Sequence, residues 1–334
     1  MSITATAAHL ADEVLFPAAL ATDRAAVVPV ELLDALAEAG LYGLSGPAAA
    51  GGIDADLPTA LEVTETLASG CLTTTFVWAQ HLGAVRAAAA STNEAVCEWV
   101  APLCSGERRA GLALGGALAG PAPLVARPAR DGWLFSGLSP FVSGWGRVDV
   151  VHTAARTEDG NIVWALLDAR DRETLSVERL DLVALNATAT VRAEFRDHAV
   201  PSARVTSVEP HREGPPAPEL LRIHASFALG VARRCCRLLG ETPLDGELAA
   251  MRAELDRLDP ATAEAARGAA GELALRTAAA LVVRTGSRSL LFSEHAQRLA
   301  REALFCLAYA LRPGSRESLL KRLGVRPTVT PRAP

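Results

Sequence analysis

The hydrophobic pattern of this chain changes period twice, and those two switches limit what it can fold into. Up to about residue 105 apolar side chains recur every three to four positions; from Ala110 to Phe195 they alternate; from Glu219 onward the helical spacing returns. Between the switches lies the stretch from Gly111 to Asp149. There Gly111-Leu-Ala-Leu-Gly-Gly-Ala-Leu-Ala-Gly120 is followed by Gly132-Trp-Leu-Phe-Ser-Gly137 and by Phe141-Val-Ser-Gly-Trp-Gly-Arg-Val-Asp149. Alternating apolar residues punctuated by glycine pairs predict strands joined by tight turns.

On the amino-terminal side the spacing predicts a helix ending at Gly40. Pro29 marks its start, and Leu32, Leu33, Leu36 and Ala37 share one face. Further helices are expected over 59–67, 73–90 and 92–103. The middle segment carries strand candidates at 110–116, 124–128, 132–137, 141–143, 149–155, 162–168, 175–180 and 189–195, with Glu158-Asp-Gly-Asn161 as a turn. Asp197–Arg204 closes the module, and His211–Pro218 reads as a linker. Helices are then expected over 219–240, 245–256, 261–285, 290–311 and 314–323, with a loose tail from Val325. The fold class read from this order is α+β multidomain: a helical domain (1–108), an antiparallel β-sandwich or barrel (109–210) and a carboxy-terminal helical bundle (211–334).

Composition removes several function classes. A net charge of −5 without a basic, aromatic-interleaved block argues against nucleic acid. No apolar run is long and charge-free enough to span a bilayer, and the first residues lack the form of a signal peptide, so a cytoplasmic protein is expected. The six cysteines show no C-x-x-C pair and no metal-ligand spacing, which predicts reduced thiols and no metal. The glycines at 111, 115, 116 and 120 do not fit G-x-G-x-x-G. The single lysine, Lys321, completes no phosphate loop, and neither Ser143 nor Ser287 sits in a G-x-S-x-G elbow.

Five motifs in one order resemble the acyl-CoA dehydrogenase superfamily of flavoproteins. They are Ala37-Glu-Ala-Gly-Leu-Tyr-Gly-Leu44 with Gly51-Gly52; Thr92–Gly106; Phe141-Val-Ser-Gly144 with Asp149; Phe195-Arg-Asp-His-Ala-Val-Pro201; and Gln297-Arg298 with Arg301-Glu302. The resemblance spans roughly residues 10–325. It implies FAD as cofactor, an acyl-CoA thioester as substrate, an electron-transfer protein as partner and a dimer or tetramer. The redox chemistry would be the flavin's.

By that resemblance Ser143 stands beside flavin N5, Phe141 and Val142 pack near the ring, and Leu114, Gly115 and Gly116 bring backbone to it. The family's threonine hydroxyl is missing from that last strand. Phe76, Gln80, His81 and Tyr309 would line the substrate pocket, with a satisfied core histidine the plainer reading of His81. Gly286 remains from a nucleotide-side glycine pair whose glutamine is absent, and Arg237 is a partial echo of a pyrophosphate-binding arginine.

The general base is the main departure. The position nine residues after Arg301 is Ala310, which cannot accept a proton. The alternative position, just before Arg222, is a leucine. Glu219 lies two residues earlier, about 200° away on a helix. Glu317 has no motif support. Three readings follow: an acyl-CoA dehydrogenase with an unassigned base, a base-less partner subunit of a heteromeric dehydrogenase, or a flavin monooxygenase of the same fold.

Overall fold

The computed structural model describes residues 1–212 and 214–325. The expected loose tail falls almost wholly on 326–334, outside the described residues. The period switches are realised as helices, then one sheet, then helices again. Among the described residues no helix is long and apolar enough to cross a membrane. All six cysteines are free thiols.

By contacts the chain forms two compact units. The first takes 1–6, 21–60 and 73–214; the second takes 7–20, 61–72 and the chain from Pro215 onward. Each is built differently.

The first unit is dominated by an eight-stranded sheet: β1 (Ala110–Ala113), β2 (Leu124–Ala129), β3 (Gly132–Val142), β4 (Val150–Arg156), β5 (Asn161–Asp168), β6 (Leu175–Arg179), β7 (Val191–Val200) and β8 (Val205–Pro210). Its order is β6-β7-β3-β2-β4-β5-β8, with β1 added to β4 in parallel. The alternation in β7 shows why the sequence reads as strand. Val191, Ala193 and Phe195 point into the core while Arg192, Glu194 and Arg196 face water. Phe135 of β3, Leu124 of β2, Val163 of β5 and Phe195 of β7 meet in one apolar core, so the sheet folds over on itself. The reverse face of β1, β4 and β5 presents Ala110, Val150 and Leu166. These pack on Ala84, Val85 and Ala88 of a long helix, Leu72–Ala90, and on Val96, Val100 and Leu103.

Three strand expectations change. Residues 132–137 and 141–143 form a single strand, β3, kept continuous through two register shifts against β7. Gly115 and Gly116 leave β1 and enter a 3-10 turn (Gly115–Ala117). β8 (Val205–Pro210), a stretch between the closing segment and the linker for which no strand is expected from sequence, pairs antiparallel with β5.

The second unit is a bundle built on helices Pro218–Leu239, Pro243–Asp256, Ala263–Thr285, His295–Ala308 and Pro313–Arg322, with residues 7–20 and 61–72 packed in. The helix foreseen from residue 290 begins only at His295, because Gly286–Leu290 is a 3-10 segment. Several of its buried polar groups are held in ion pairs. Arg298 and Glu302, one turn apart, bond at 2.5 Å with both side chains almost wholly buried. Arg222 donates to Asp256 at 2.6 Å, and Arg252 donates to the buried Glu65.

Candidate functional site

Ser143 sits just beyond the end of β3, buried, at the head of a line of hydroxyls. Its Oγ lies 2.7 Å from Oγ1 of Thr190, which lies 2.8 Å from Oγ1 of Thr188. Thr188 in turn donates to the Leu185 carbonyl at 2.8 Å. The turn that carries the threonines, Asn186–Thr188, is flanked by Leu185 and Ala189 with φ of 56° and 47°. Two non-glycine residues in the left-handed region cost of order 1 kcal/mol each, and such strain concentrates where a geometry is being enforced. Backbone bonds hold the turn from both sides: Gly144 N–H to the Thr188 carbonyl at 2.7 Å, and Leu180 N–H to the Thr190 carbonyl at 2.9 Å.

Around Ser143 the sequence candidates divide sharply. Val142 is fully buried in the sheet core, so its side chain serves packing. Phe141, next to it, is 66% exposed, and Leu114 is 40% exposed. An open aromatic side chain two residues from a buried hydroxyl suits a flat, largely apolar ligand with a polar edge. Gly115 and Gly116 are glycine for another reason. A Cβ on Gly115 would lie 2.6 Å from the Leu138 carbonyl oxygen, and one on Gly116 2.5 Å from the Ala155 Cα. They let the turn settle against β3 and β4. Arg156 then fixes the loop by donating to the carbonyls of Gly116 (2.9 Å), Gly120 (2.8 Å) and Leu118.

On the helix Leu72–Ala90, Phe76 is buried and Gln80 is half-buried, its amide donating to the Phe76 carbonyl at 3.3 Å. His81 is spent on structure. Its Nδ1 accepts from the Ala110 N–H at 3.0 Å, which makes Nε2 the protonated nitrogen that donates to the Leu103 carbonyl at 3.0 Å. The ring stands edge-on to the buried Tyr42. Burial pushes its pKa down to about 4. With both nitrogens committed to backbone, no atom of His81 is left for a ligand, which is the core-histidine reading.

In the second unit, Tyr309 ends the helix His295–Ala308 and stacks on Phe305 at 5.1 Å between ring centroids. Ala310 follows it at φ 51°, in the same left-handed region. Arg267, fully buried, closes this turn from beneath, donating to the carbonyls of Cys306 (3.1 Å) and Tyr309 (3.0 Å). His224, absent from the sequence reading, faces Tyr309 edge-on at 5.2 Å with a buried Nδ1 that has no partner in the described structure. Burial, helped by Arg267 and Arg312, pushes its pKa down to about 3, so it is neutral at physiological pH. Glu219 lies exposed in the first turn of Pro218–Leu239, where a carboxylate complements the helix dipole. Gly286 is exposed at the end of its helix, φ 68°. Arg237 has both terminal nitrogens on Asp12, at 2.8 and 3.0 Å, and Arg234 takes the same carboxylate at 2.5 Å.

The fold has well-populated company. Residues 1–107 match the family model described as acyl-CoA dehydrogenase, N-terminal domain. No curated protein matches the chain by sequence. Among solved structures, glutaryl-coenzyme A dehydrogenase in its glutaryl-CoA complex superposes with a TM-score of 0.81 at 18% identity, over 97% of this chain and 95% of that one. The amino-terminal 107 residues thus match an acyl-CoA dehydrogenase domain, and the chain as a whole shares the acyl-CoA dehydrogenase fold. An acyl-CoA dehydrogenase from Geobacillus kaustophilus is similar with a TM-score of 0.78 at 18% identity, covering 97% of each chain. A glutaryl-CoA dehydrogenase from Mycobacterium smegmatis, solved with FADH2, gives 0.77 at 18% identity over 96% of this chain and 93% of that one.

One of these structures holds FADH2, so a flavin is the group against which the residues of this chain are tested. The ring-facing set fits: open Phe141 and Leu114, a buried Ser143 hydroxyl, and a loop locked by Arg156. The nucleotide-facing set fits less well. Arg237 is occupied by Asp12, and Gly286 stands without the glutamine that accompanies it in the family motif.

Proposed function

We propose that this chain is an FAD-dependent oxidoreductase acting on an acyl-CoA thioester. The observation that carries the reading is the Ser143 hydroxyl, fixed by Thr190 and Thr188 two residues after the exposed Phe141. When bound, FAD supplies the acceptor for a hydride leaving the substrate's β-carbon. Ser143 would hydrogen-bond the polar edge of the ring, Phe141 and Leu114 would cover its apolar surface, and the 114–116 backbone would limit its position. Phe76 and Gln80 are the proposed pocket residues of the sheet-bearing unit. Electrons would pass on to an electron-transfer protein, and a dimer or tetramer in the cytoplasm is the proposed working form.

α,β-Dehydrogenation also removes a proton from the α-carbon, and a carboxylate of raised pKa is the ordinary acceptor. Ala310 cannot serve, and Glu219 is exposed in a first helical turn. The occupied Arg237 and the alanine at 310 together favour a second reading: a subunit that relies on a homologous catalytic chain for its base.

The test is an absorbance spectrum of the protein purified alone, followed by anaerobic addition of acyl-CoAs. Flavin absorbance that bleaches with a thioester supports the self-sufficient dehydrogenase. Bound flavin that no thioester bleaches, in a protein that consumes oxygen with NAD(P)H or a reductase, would instead indicate a monooxygenase. A colourless protein that gains flavin only on co-expression with a homologue supports the partner-subunit reading. Ala310→Glu separates the self-sufficient and base-less readings further. If only the base is missing, turnover should rise by about 10²–10⁴-fold; no gain in a flavin-loaded variant would refute that.

A further inference from the structure

The line of hydroxyls behind Ser143 has a direction. The Leu185 carbonyl can only accept, so the Thr188 proton is committed to it at 2.8 Å. Thr188 has no second proton, so in its 2.8 Å contact with Thr190 it must be the acceptor. Thr190 has then spent its own proton on Thr188, and Ser143 must be the donor across the 2.7 Å contact to Thr190. Ser143 is left with lone pairs alone. Thr188 and Thr190 are 1% and 3% exposed, so water does not compete for these bonds.

We infer that Thr190 and Thr188 are positioning residues that make Ser143 a pure hydrogen-bond acceptor, and so make this site prefer a ligand that presents an N–H there over one that presents a lone pair. This rests on the flavin reading above. Flavin N5 carries a lone pair when oxidised and a hydrogen when reduced. An accept-only Ser143 bonds the reduced form and meets the oxidised form lone pair to lone pair. The residues therefore bias binding toward reduced flavin without touching it, and the strained turn at 185–189 is the part of the fold that holds the bias in place.

The discriminating variant is Thr188→Val, which leaves the Ser143–Thr190 contact intact but removes the carbonyl-anchored link. Thr190 can then donate to Ser143, and Ser143 can donate outward. The measurement is the affinity of the full chain for oxidised FAD and for dithionite-reduced FAD under anaerobic conditions, expressed as a ratio. Thr188→Val and Thr190→Val should each lower the reduced-over-oxidised preference by about 5–10-fold, the scale of one hydrogen bond. For a two-electron couple, a tenfold loss reads as about 30 mV toward lower potential. Thr188→Ser and Thr190→Ser should restore the wild-type ratio, since either serine rebuilds the line. Oxidised and reduced FAD that bind Thr188→Val in the wild-type ratio would overturn the directional line while leaving the flavin reading standing. A wild-type chain that binds neither form, alone or with its homologue, would remove the flavin reading and this inference together.

Discussion

The two units keep polar groups in their interiors by opposite means. Among the described residues of the sheet-bearing unit, the fully buried polar side chains are hydroxyls and two imidazoles, His81 and His152; none carries a permanent charge. In the helical unit, Glu65, Arg222, Arg234, Arg267, Arg298 and Glu302 are all buried, almost all of them in ion pairs. A neutral interior can orient a proton, as the Ser143 line does, without imposing a fixed field. A charged interior ties helices together but commits its arginines. Arg237 shows the consequence. An arginine that family resemblance would send to a cofactor phosphate is held by Asp12. That carboxylate sits on a one-turn π-helical segment, Leu10–Leu15. Burial opposes ionisation of Asp12, but hydrogen bonds from Arg237 and Arg234 prevail and hold its carboxyl below the usual range.

The largest effect should come from breaking a buried ion pair in the second unit. Glu302→Leu removes the carboxylate that Arg298 bonds in the interior and should cost about 3–5 kcal/mol, read from urea unfolding. The double variant Arg298→Met/Glu302→Leu should recover most of the loss, because removing both charges removes the desolvation cost along with the attraction. A double variant as unstable as the single would mean that packing, not charge, sets the value.

Acid should act on the sheet-bearing unit through its two buried histidines. Burial depresses the pKa of both His81 and His152 to about 4 in the native state, against about 6.5 in the unfolded chain. Between those values the unfolded state binds protons that the native state refuses. Stability is therefore fully present above about pH 6.5 and falls as pH drops toward 4, by about 1.4 kcal/mol per unit for each histidine. From pH 7 to pH 5 the two together should remove roughly 4 kcal/mol. His152→Gln keeps a group able to meet the Thr206 hydroxyl, which lies 2.9 Å from His152 Nε2, and should reduce the slope by about 1.4 kcal/mol per pH unit. An unchanged slope would place the acid sensitivity elsewhere.

The freeing of Arg237 should be a smaller change. Asp12→Asn removes the anion that Arg234 and Arg237 share and should cost about 1–2 kcal/mol, since the pair is part-exposed. If the occupied arginine is what limits flavin retention, the same variant should bind FAD more tightly, and an affinity no better than wild type would discard that explanation.

What the sequence revealed follows the same division. The period switches located the sheet and both sets of helices, because alternation and helical spacing are local properties. Phe195, Val191 and Ala193 announce β7 without reference to anything else. Ser143, Phe141 and Leu114 were legible through motif order. Thr188 and Thr190 were not, because their role is a contact 47 residues away in sequence from Ser143, with nothing local to mark it. His224 was missed for the same reason: a single histidine in an apolar helix carries no signal until Tyr309 is beside it. Gly115 and Gly116 look like turn residues, and only the packed structure shows the Leu138 and Ala155 backbones that exclude a Cβ. β8 was hidden because Val205–Pro210 is mostly exposed, so its alternation is weak.

The smallest effect tests the neutral interior at one of its unpartnered hydroxyls. Ser139 on β3 is wholly buried, and its Oγ has no hydrogen-bond partner in the described structure. It lies where β3 slips register against β7 and where Gly115 presses in, 3.2 Å from an added Cβ to the Ser139 Cα. A bare hydroxyl costs desolvation without return, yet far less than a bare charge would, which is why this unit can carry one. Ser139→Ala removes the group with little change of shape and should raise stability by up to about 1 kcal/mol, read as a higher urea midpoint at constant slope. A loss of similar size would show that the hydroxyl has a partner in solution, a buried water being the simplest. The sheet-bearing unit would then hold no unsatisfied group at this site, and its contrast with the charged interior would be sharper still.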